Sequence, residues 1–190
     1  EPARESPLFG MENVIATPHL GASTTEAQEK VALQVAEQMA DFLVNGAVTN
    51  ALNMASVTAE EAPILRPYMA LGRKLGAFLG QVKSPGLTSI SIEFDGKASG
   101  LNPDPVVAST VAGLLGPVMD SVNMVNAATT AASNGIAVST VRHDRRCDYE
   151  TLLRVTVAYD GGSRTIAGTL VGGDKPRIVE VQSIAIEADF

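Results

Sequence analysis

The chain has 190 residues, a formal net charge of −7 and 45% hydrophobic residues, while aromatic residues make up 4% and Trp is absent. This length suits one ordinary domain or a small domain with an additional segment. The acidic balance argues against a general nucleic-acid-binding or anionic membrane-binding surface. No apolar run reaches the roughly 18 residues that a membrane-spanning helix needs. A core of Ala, Val, Leu, Ile and Met is typical of a layered α/β or α+β protein.

Cysteine and histidine are scarce. The one Cys, Cys147, excludes an internal disulfide and indicates a reducing compartment, so we expect a cytoplasmic protein. The two His residues, His19 and His143, have no metal-ligand spacing to each other or to Cys147. We therefore expect no metal site.

The first part of the chain predicts one strand and one long helix. Residues 13–17, with the sequence NVIAT, predict a short buried strand. Ser23 and Glu26 fit a capping box at the start of a helix, which continues at helical spacing until Asn45 and Gly46 end it. We expect this Ala-rich helix to bury its apolar face against a neighbouring domain or another chain.

A segment without sustained periodicity follows this helix. Residues 47–63, AVTNALNMASVTAEEAP, have the small polar composition of a linker. We therefore predict two units, residues 1–54 and residues 55–190, with the boundary inside this segment.

The second unit predicts helices followed by strands. A helix is expected over residues 63–82, and the alternating residues 89–94 predict a strand with one buried face. Another helix begins near Pro105 and is interrupted at residues 116–117, and a further helical piece covers residues 118–133.

The last third of the chain predicts a four-stranded meander. The expected strands are residues 136–142, 151–159, 164–171 and 177–186. Helices should then cover one face of a mostly antiparallel sheet, which is an α+β fold.

Cationic residues are concentrated after residue 141, although the chain as a whole is acidic. If the strands that carry Arg142 and Arg154 pair, their like charges approach and favour a bound phosphate or carboxylate between them. The alternative is a solvated loop whose Arg residues pair with the nearby acids Asp144, Asp148 and Glu150. The candidate anion-binding residues are Arg142, Arg154, Arg145, Arg146, Lys175 and Arg177.

The motif NVIATPHLGAST surrounds His19 with features of a ligand site. Gly21 permits a ligand to approach the main chain, and the N-terminus of the following helix suits polar or anionic groups. A lone His after a strand is otherwise more often structural than catalytic.

The run EP…SPLF…NVIATPHLGAST…EA resembles the end of the catalytic region of the D-isomer-specific 2-hydroxyacid dehydrogenases. This resemblance implies that His19 matches the catalytic His, the acid–base group that exchanges the substrate hydroxyl proton during hydride transfer with NAD. It also implies that His19, Leu20, Gly21 and Ala22 adjoin the nicotinamide. The long helix of residues 27–44 would then be a remnant of the catalytic region.

The runs LRPYMALGRKLGAFLGQV, VNMVNAATTAASNGI and GTLVGGDKPRIVEV resemble the intervening domain of longer members of this family. That domain lies before a regulatory ACT domain, which would begin after Phe190. It is implicated in binding anionic effectors or substrate through basic residues, for which Arg142 and Arg154 are the first candidates. The dinucleotide fingerprint, the catalytic Arg and the carboxylate that orients the His would precede Glu1. We therefore expect an inactive fragment of an oligomeric enzyme.

The sequence leaves open two alternatives to an effector-binding domain. The domain is either a ligand-free structural spacer that mediates oligomerisation, or part of an iron–sulfur amino-acid dehydratase, which uses a similar domain. The single Cys147 argues against the dehydratase, because an iron–sulfur cluster needs several thiolates.

Overall fold

The computed structural model describes residues 4–17, 20–82, 86–143 and 147–190. The α-helices within these ranges are α1 (Thr25–Asn45), α2 (Ala62–Gln81), α3 (Asp104–Leu115) and α4 (Ala127–Ser133). The strands are β1 (Leu87–Gly96), β2 (Ala137–His143), β3 (Thr151–Tyr159), β4 (Gly162–Val171), β5 (Lys175–Val181) and β6 (Ile184–Ala188). Among the described helices, none combines the length and apolar composition needed to cross a bilayer.

The strands form one six-stranded sheet in the order β2-β1-β3-β4-β5-β6. The pairing of β1 with β2 is parallel, and every other neighbouring pair is antiparallel. Helices α2 and α3 pack on this sheet through one hydrophobic core. The predicted α+β fold, with helices against a mostly antiparallel sheet, is confirmed.

The predicted meander of four strands is wrong in its membership. The strand expected at residues 136–142 lies at the edge beside β1, because α3 and α4 form a crossover connection that brings the chain back parallel to β1. The strand expected at residues 177–186 is two strands, since Gln182 and Ser183 adopt φ of 50° and 62° and form a tight turn. The meander therefore runs from β3 to β6.

The helix expected over residues 118–133 begins only at Ala127. Asn side chains take the backbone N–H groups that would otherwise extend this helix towards its N-terminus. Asn123 Oδ1 accepts a hydrogen bond from Val125 N at 2.8 Å, and Asn126 Oδ1 accepts one from Asn123 N at 2.8 Å.

The N-terminal segment also differs from prediction. The strand expected at residues 13–17 does not form, since no described strand lies beside it to complete a hydrogen-bond ladder, and Ile15 is 91% exposed. The cap of α1 is Thr24 rather than Ser23, because Thr24 Oγ1 accepts a hydrogen bond from Ala27 N at 3.2 Å. The end of α1 at Gly46, with φ of 73°, is as predicted.

The segment between α1 and α2 is tied to the core. Val48 and Val57 exchange backbone hydrogen bonds of 2.7 Å in both directions, and Val57 is buried. Arg66 of α2 donates a hydrogen bond from Nη2 to Asn45 O at 2.9 Å and so satisfies a carbonyl at the end of α1. No residue of α1 is buried by the described residues. The expected packing of this helix on a neighbouring domain or chain stays a prediction.

Glycines bring α2 and α3 into backbone contact. A Cβ placed at Gly72 would lie 2.3 Å from Thr110 Oγ1, and one at Gly76 would lie 2.2 Å from Thr110 O. A Cβ at Gly80 would lie 2.1 Å from Leu114 O. Only glycine allows this approach, because the obstacles at Gly76 and Gly80 are backbone atoms that cannot rotate away.

We predict that Gly76→Ala lowers the free energy of unfolding by about 2 kcal/mol, because the new methyl group forces the two helices apart. Urea denaturation followed by circular dichroism measures this change. The control is Gly100→Ala, because nothing lies within 4 Å of a Cβ at Gly100. Equal stability of the Gly76→Ala variant and the parent chain would refute the backbone contact.

Candidate functional site

The turn before α1 leaves its backbone accessible. Pro18 and His19 lie outside the described residues, so the structure gives no position for the predicted catalytic His. Ser23 N donates a hydrogen bond to Leu20 O at 3.0 Å, which closes a turn over Leu20, Gly21, Ala22 and Ser23. These residues are exposed, and nothing lies within 4 Å of a Cβ at Gly21. A ligand can therefore reach the main chain of this turn.

Arg142 and Arg154 lie on strands that do not pair. Strand β1 separates β2 from β3, and Arg142 is in register with Phe94 while Arg154 is in register with Glu93. Successive residues of a strand point to opposite faces of the sheet, so Arg142 lies on the face of Phe94 and Arg154 on the other. The premise that the two strands pair is wrong, and these two guanidinium groups do not converge on one anion.

The face opposite the helices carries Arg154 and is called the open face here. Phe94 is in register with Leu153 and Leu153 with Gly168, and Gly168 lies against Leu71 and Leu75 of α2. The helix-covered face is therefore that of Phe94. Its alternate positions form the open face, whose central residues are Glu93, Asp95, Arg154, Ala167 and Glu180. The name refers to the face away from α2, because Asp95 and Ala167 are themselves buried.

Arg154 and Glu180 form a bidentate ion pair on the open face. Arg154 Nη1 pairs with Glu180 Oε1, and Arg154 Nη2 donates to Glu180 Oε2 at 3.0 Å. Ala167 is in register with both residues, and its small side chain lets the pair span the intervening strand β4. The two parallel hydrogen bonds hold the guanidinium plane in one orientation and keep its positive charge beside the carboxylate.

Carboxylates surround the guanidinium of Arg154. Its pKa is raised above the ordinary arginine value, first by the hydrogen bond to Glu180, against the opposing effect of burial, and further by the charges of Glu180, Glu93 and Asp95. Because this pKa is raised in the folded protein, folding favours the charged form of the side chain. Arg154 therefore keeps its positive charge at every ordinary pH. The carboxylates of the protein therefore offset the positive charge of Arg154. An anionic ligand would find little net electrostatic attraction at this position.

His143 extends the charged row to the edge of the sheet. Its Nε2 lies 3.5 Å from Glu93 Oε2. His143, Glu93, Arg154 and Glu180 thus alternate basic and acidic groups across the open face. This pattern favours internal pairing over capture of an external anion.

The predicted residues of β5 have different surroundings. Arg177 forms an ion pair with Asp189, and its Nη1 donates to Pro176 O at 3.2 Å. Lys175 is exposed at the β4–β5 turn, where no described residue forms an ion pair with it. Lys175 therefore has an available charge, whereas Arg177 shares its charge with Asp189.

Arg142 is the predicted cation with the least competition. It is exposed near the end of β2, and no described residue forms an ion pair or hydrogen bond with its guanidinium. Arg145 and Arg146 lie outside the described residues. Among the described candidate residues, Arg142 and Lys175 thus have charges that no described carboxylate offsets. They lie far apart, on β2 and at the β4–β5 turn.

The sequence prediction missed the acidic partners of Arg154. The alternation in Ile92-Glu93-Phe94-Asp95 contained a signal, because two buried apolar residues place Glu93 and Asp95 together on the other face. The partner Glu180 gave no such signal, since it depends on the order of β3, β4 and β5.

A separate apolar pocket lies where the ends of α2 and α3 meet the sheet. It has a volume of about 310 Å³ and includes the polar side chains of Asn134 and Tyr159 at its margin. None of the candidate cations lines it, so it does not serve the predicted anion site. Within the described residues, no three His, Cys, Asp or Glu side chains are grouped to hold a metal ion.

Comparison with known proteins identifies close relatives. Residues 64–182 match the family model of the D-3-phosphoglycerate dehydrogenase intervening domain. The D-3-phosphoglycerate dehydrogenase of Synechocystis sp. is 36% identical over 188 residues, which are 98% of this chain and 34% of that protein. That of Bacillus subtilis is 32% identical over 188 residues, or 98% of this chain and 36% of that protein. The chain thus spans about a third of the length of these relatives.

The setting of Arg154 predicts unequal costs for breaking its ion pair. Glu180→Gln should lower the free energy of unfolding by roughly 1 kcal/mol, and Arg154→Gln by roughly 2 kcal/mol, because Arg154 also faces Glu93 and Asp95. Urea denaturation measures both values. The control is Lys30→Gln, which breaks the exposed Lys30–Glu26 pair of α1 and should change stability by less than about 0.5 kcal/mol. Equal costs for Arg154→Gln and Lys30→Gln would contradict the structural role of Arg154.

Proposed function

Since the chain belongs to the family of D-3-phosphoglycerate dehydrogenase intervening domains, we propose that it is part of an NAD-dependent D-3-phosphoglycerate dehydrogenase. Such an enzyme oxidises 3-phosphoglycerate to 3-phosphohydroxypyruvate in serine biosynthesis, in the cytoplasm and as a homo-oligomer. The observation that carries this proposal is the similarity to named dehydrogenases over 98% of the chain, well beyond the intervening domain itself.

The N-terminal segment contributes the acid–base group in this proposal. His19 exchanges the proton of the substrate hydroxyl, while the turn of Leu20, Gly21 and Ala22 adjoins the nicotinamide. The accessible backbone at Gly21 and the N-terminus of α1 suit a cofactor that approaches the main chain closely. NAD supplies the hydride acceptor when bound. The 190 residues contain no G-x-G-x-x-G fingerprint, so this turn forms only one wall of a cofactor site, and we expect no dehydrogenase activity from this chain alone.

The unit of residues 55–190 is, in this proposal, a regulatory domain that binds a small anion such as phosphoglycerate or phosphate. Arg142 makes the principal contact, and Arg145 and Arg146 follow it closely in the chain. The exposure of Arg142 and the lack of a described carboxylate partner support this role. A guanidinium fork suits phosphate and carboxylate oxygens.

The other cations have graded roles in the same proposal. Lys175 and Arg177 form a second, weaker contact region, where Arg177 must exchange Asp189 for the ligand. Arg154 holds the sheet through Glu180 and contributes to the effector site only indirectly.

We predict that Arg142→Gln weakens phosphoglycerate binding at least tenfold, the loss expected for a hydrogen bond to a charged group worth about 1.5–3 kcal/mol. Isothermal titration calorimetry at low ionic strength measures this change for 3-phosphoglycerate and inorganic phosphate. The control is Arg73→Gln, which removes the same charge from an exposed position of α2 and should leave binding unchanged. Absence of binding heat in the parent chain, or equal losses in both variants, would contradict the effector site.

For the acid–base role, we predict that His19→Ala in the intact dehydrogenase lowers kcat by about 10²–10⁴, the usual contribution of a general acid–base group. The matched control is His143→Ala, the other His of this chain, which should leave kcat within about twofold of the parent since it lies on the sheet. Steady-state kinetics with 3-phosphoglycerate and NAD distinguish the two. A change confined to KM would contradict the role of His19.

A further inference from the structure

Strand β2 presents an unpaired edge. It ends the sheet, and among the described strands it pairs with β1 alone. Its residues are exposed from Ala137 to Arg142, and only His143 is partly buried. No backbone hydrogen bond from another described element reaches this strand. The outer side of β2 is thus a row of N–H and C=O groups that water or another strand must satisfy.

This edge has few of the features that prevent strand addition, because its Arg and His, Arg142 and His143, both lie at one end of the strand. The sequence AVSTVRH contains no Pro, Lys or Gly, and its register with β1 is continuous over all seven residue pairs. The opposite edge, β6, has five residues including Glu187, and its pairing with β5 is interrupted by a register shift. Strand β2 is therefore the longer and more regular template.

We propose that β2 is a self-association surface, on which a second copy of this chain adds its own β2 in antiparallel orientation. The two sheets then form one continuous sheet about a two-fold axis at Thr140. This inference rests on the homo-oligomer of the proposed function and names its surface. In an antiparallel pair, two facing residues either both direct their backbone groups to the partner strand or both direct them away, so a pair of identical strands is centred on a residue. Centring on Thr140 pairs all seven residues and forms about six to eight backbone hydrogen bonds.

The charges of β2 are compatible with this register. Arg142 lies opposite Val138 of the second copy, and His143 lies opposite Ala137 of the second copy. The two Arg142 residues are four positions apart along the paired strands, or about 13 Å at the rise of an extended strand. This distance exceeds the screening length of about 8 Å in physiological salt, so their repulsion is small. Thr140 meets its own copy, where paired hydroxyl groups hydrogen-bond.

The described residues of α4 and β2 that are exposed near this edge have mostly short side chains. Helix α4 packs against β2 and exposes only short side chains beside it, namely Ala128, Thr129, Ala132 and Ser133. On the other face, β2 itself presents Ser139 and Val141. A two-fold axis perpendicular to the sheet places the helix layers of both copies on the same side of the continuous sheet.

A charge-reversal experiment on the 190-residue chain tests this surface. Thr140→Lys and Thr140→Glu each place like charges opposite one another only if Thr140 meets its copy, and both substitutions lie at an exposed position. Sedimentation equilibrium should show a dimer for the parent chain, and each variant should dimerise at least tenfold more weakly. An equimolar mixture of the two variants should restore the dimer. Circular dichroism verifies that each variant is folded.

The control and the other outcomes separate this surface from the wider proposal. Ala185→Lys places the same charge on the β6 edge and should leave the dimer intact. A dimer that persists in Thr140→Lys and Thr140→Glu overturns the β2 surface alone and points to another contact, such as the exposed α1. A parent chain that stays monomeric up to 100 times the concentration used for the folding assays overturns both the β2 surface and self-association of this chain.

Discussion

The backbone contact between α2 and α3 fixes the position of everything else in this fold. Gly76 and Gly80 let α2 lie against the carbonyl groups of α3, and a Cβ at Gly113 of α3 would lie 2.3 Å from Arg73 O of α2. The glycines therefore act on both sides of the contact. Leu71 and Leu75 of the same helix then reach Gly168 in β4, so the helix pair and the sheet share one core.

The opposite face of the sheet combines buried apolar residues, such as Leu152 and Ala167, with charged side chains. Arg154, Glu180 and Glu93 form a row there, and the raised pKa of Arg154 has its physical origin in these carboxylates. A cation whose charge is offset by neighbouring carboxylates has a structural role. It stabilises the fold in the way that a hydrogen-bonded polar side chain in a core does. Arg142 lies on an edge strand, with no described partner, where its charge is available to a ligand. In the proposed effector site, pairing with carboxylates thus distinguishes Arg154 from Arg142 more than the number of basic residues does.

Local patterns predicted the elements well and their neighbours poorly. The alternation of Ile90, Ile92 and Phe94 predicted the buried face of β1, and Asn45-Gly46 predicted the end of α1. The position of β2 was not predictable in this way, because a strand carries the same alternation whether its neighbour is parallel or antiparallel. The turn at Gln182 and Ser183 escaped prediction, since positive φ is unusual for residues other than Gly, Asn and Asp. The partners of Arg154 could not be predicted either, because the strand order brings them beside it.

The sheet divides the basic residues, so that Arg154 is paired within the protein and Arg142 is the proposed anion-binding cation. A crystal structure of the chain with 3-phosphoglycerate tests this claim most directly. We expect phosphate density in contact with the Arg142 guanidinium, while the bidentate pair of Arg154 and Glu180 remains intact. A phosphate bound to Arg154, with Glu180 displaced, would contradict it.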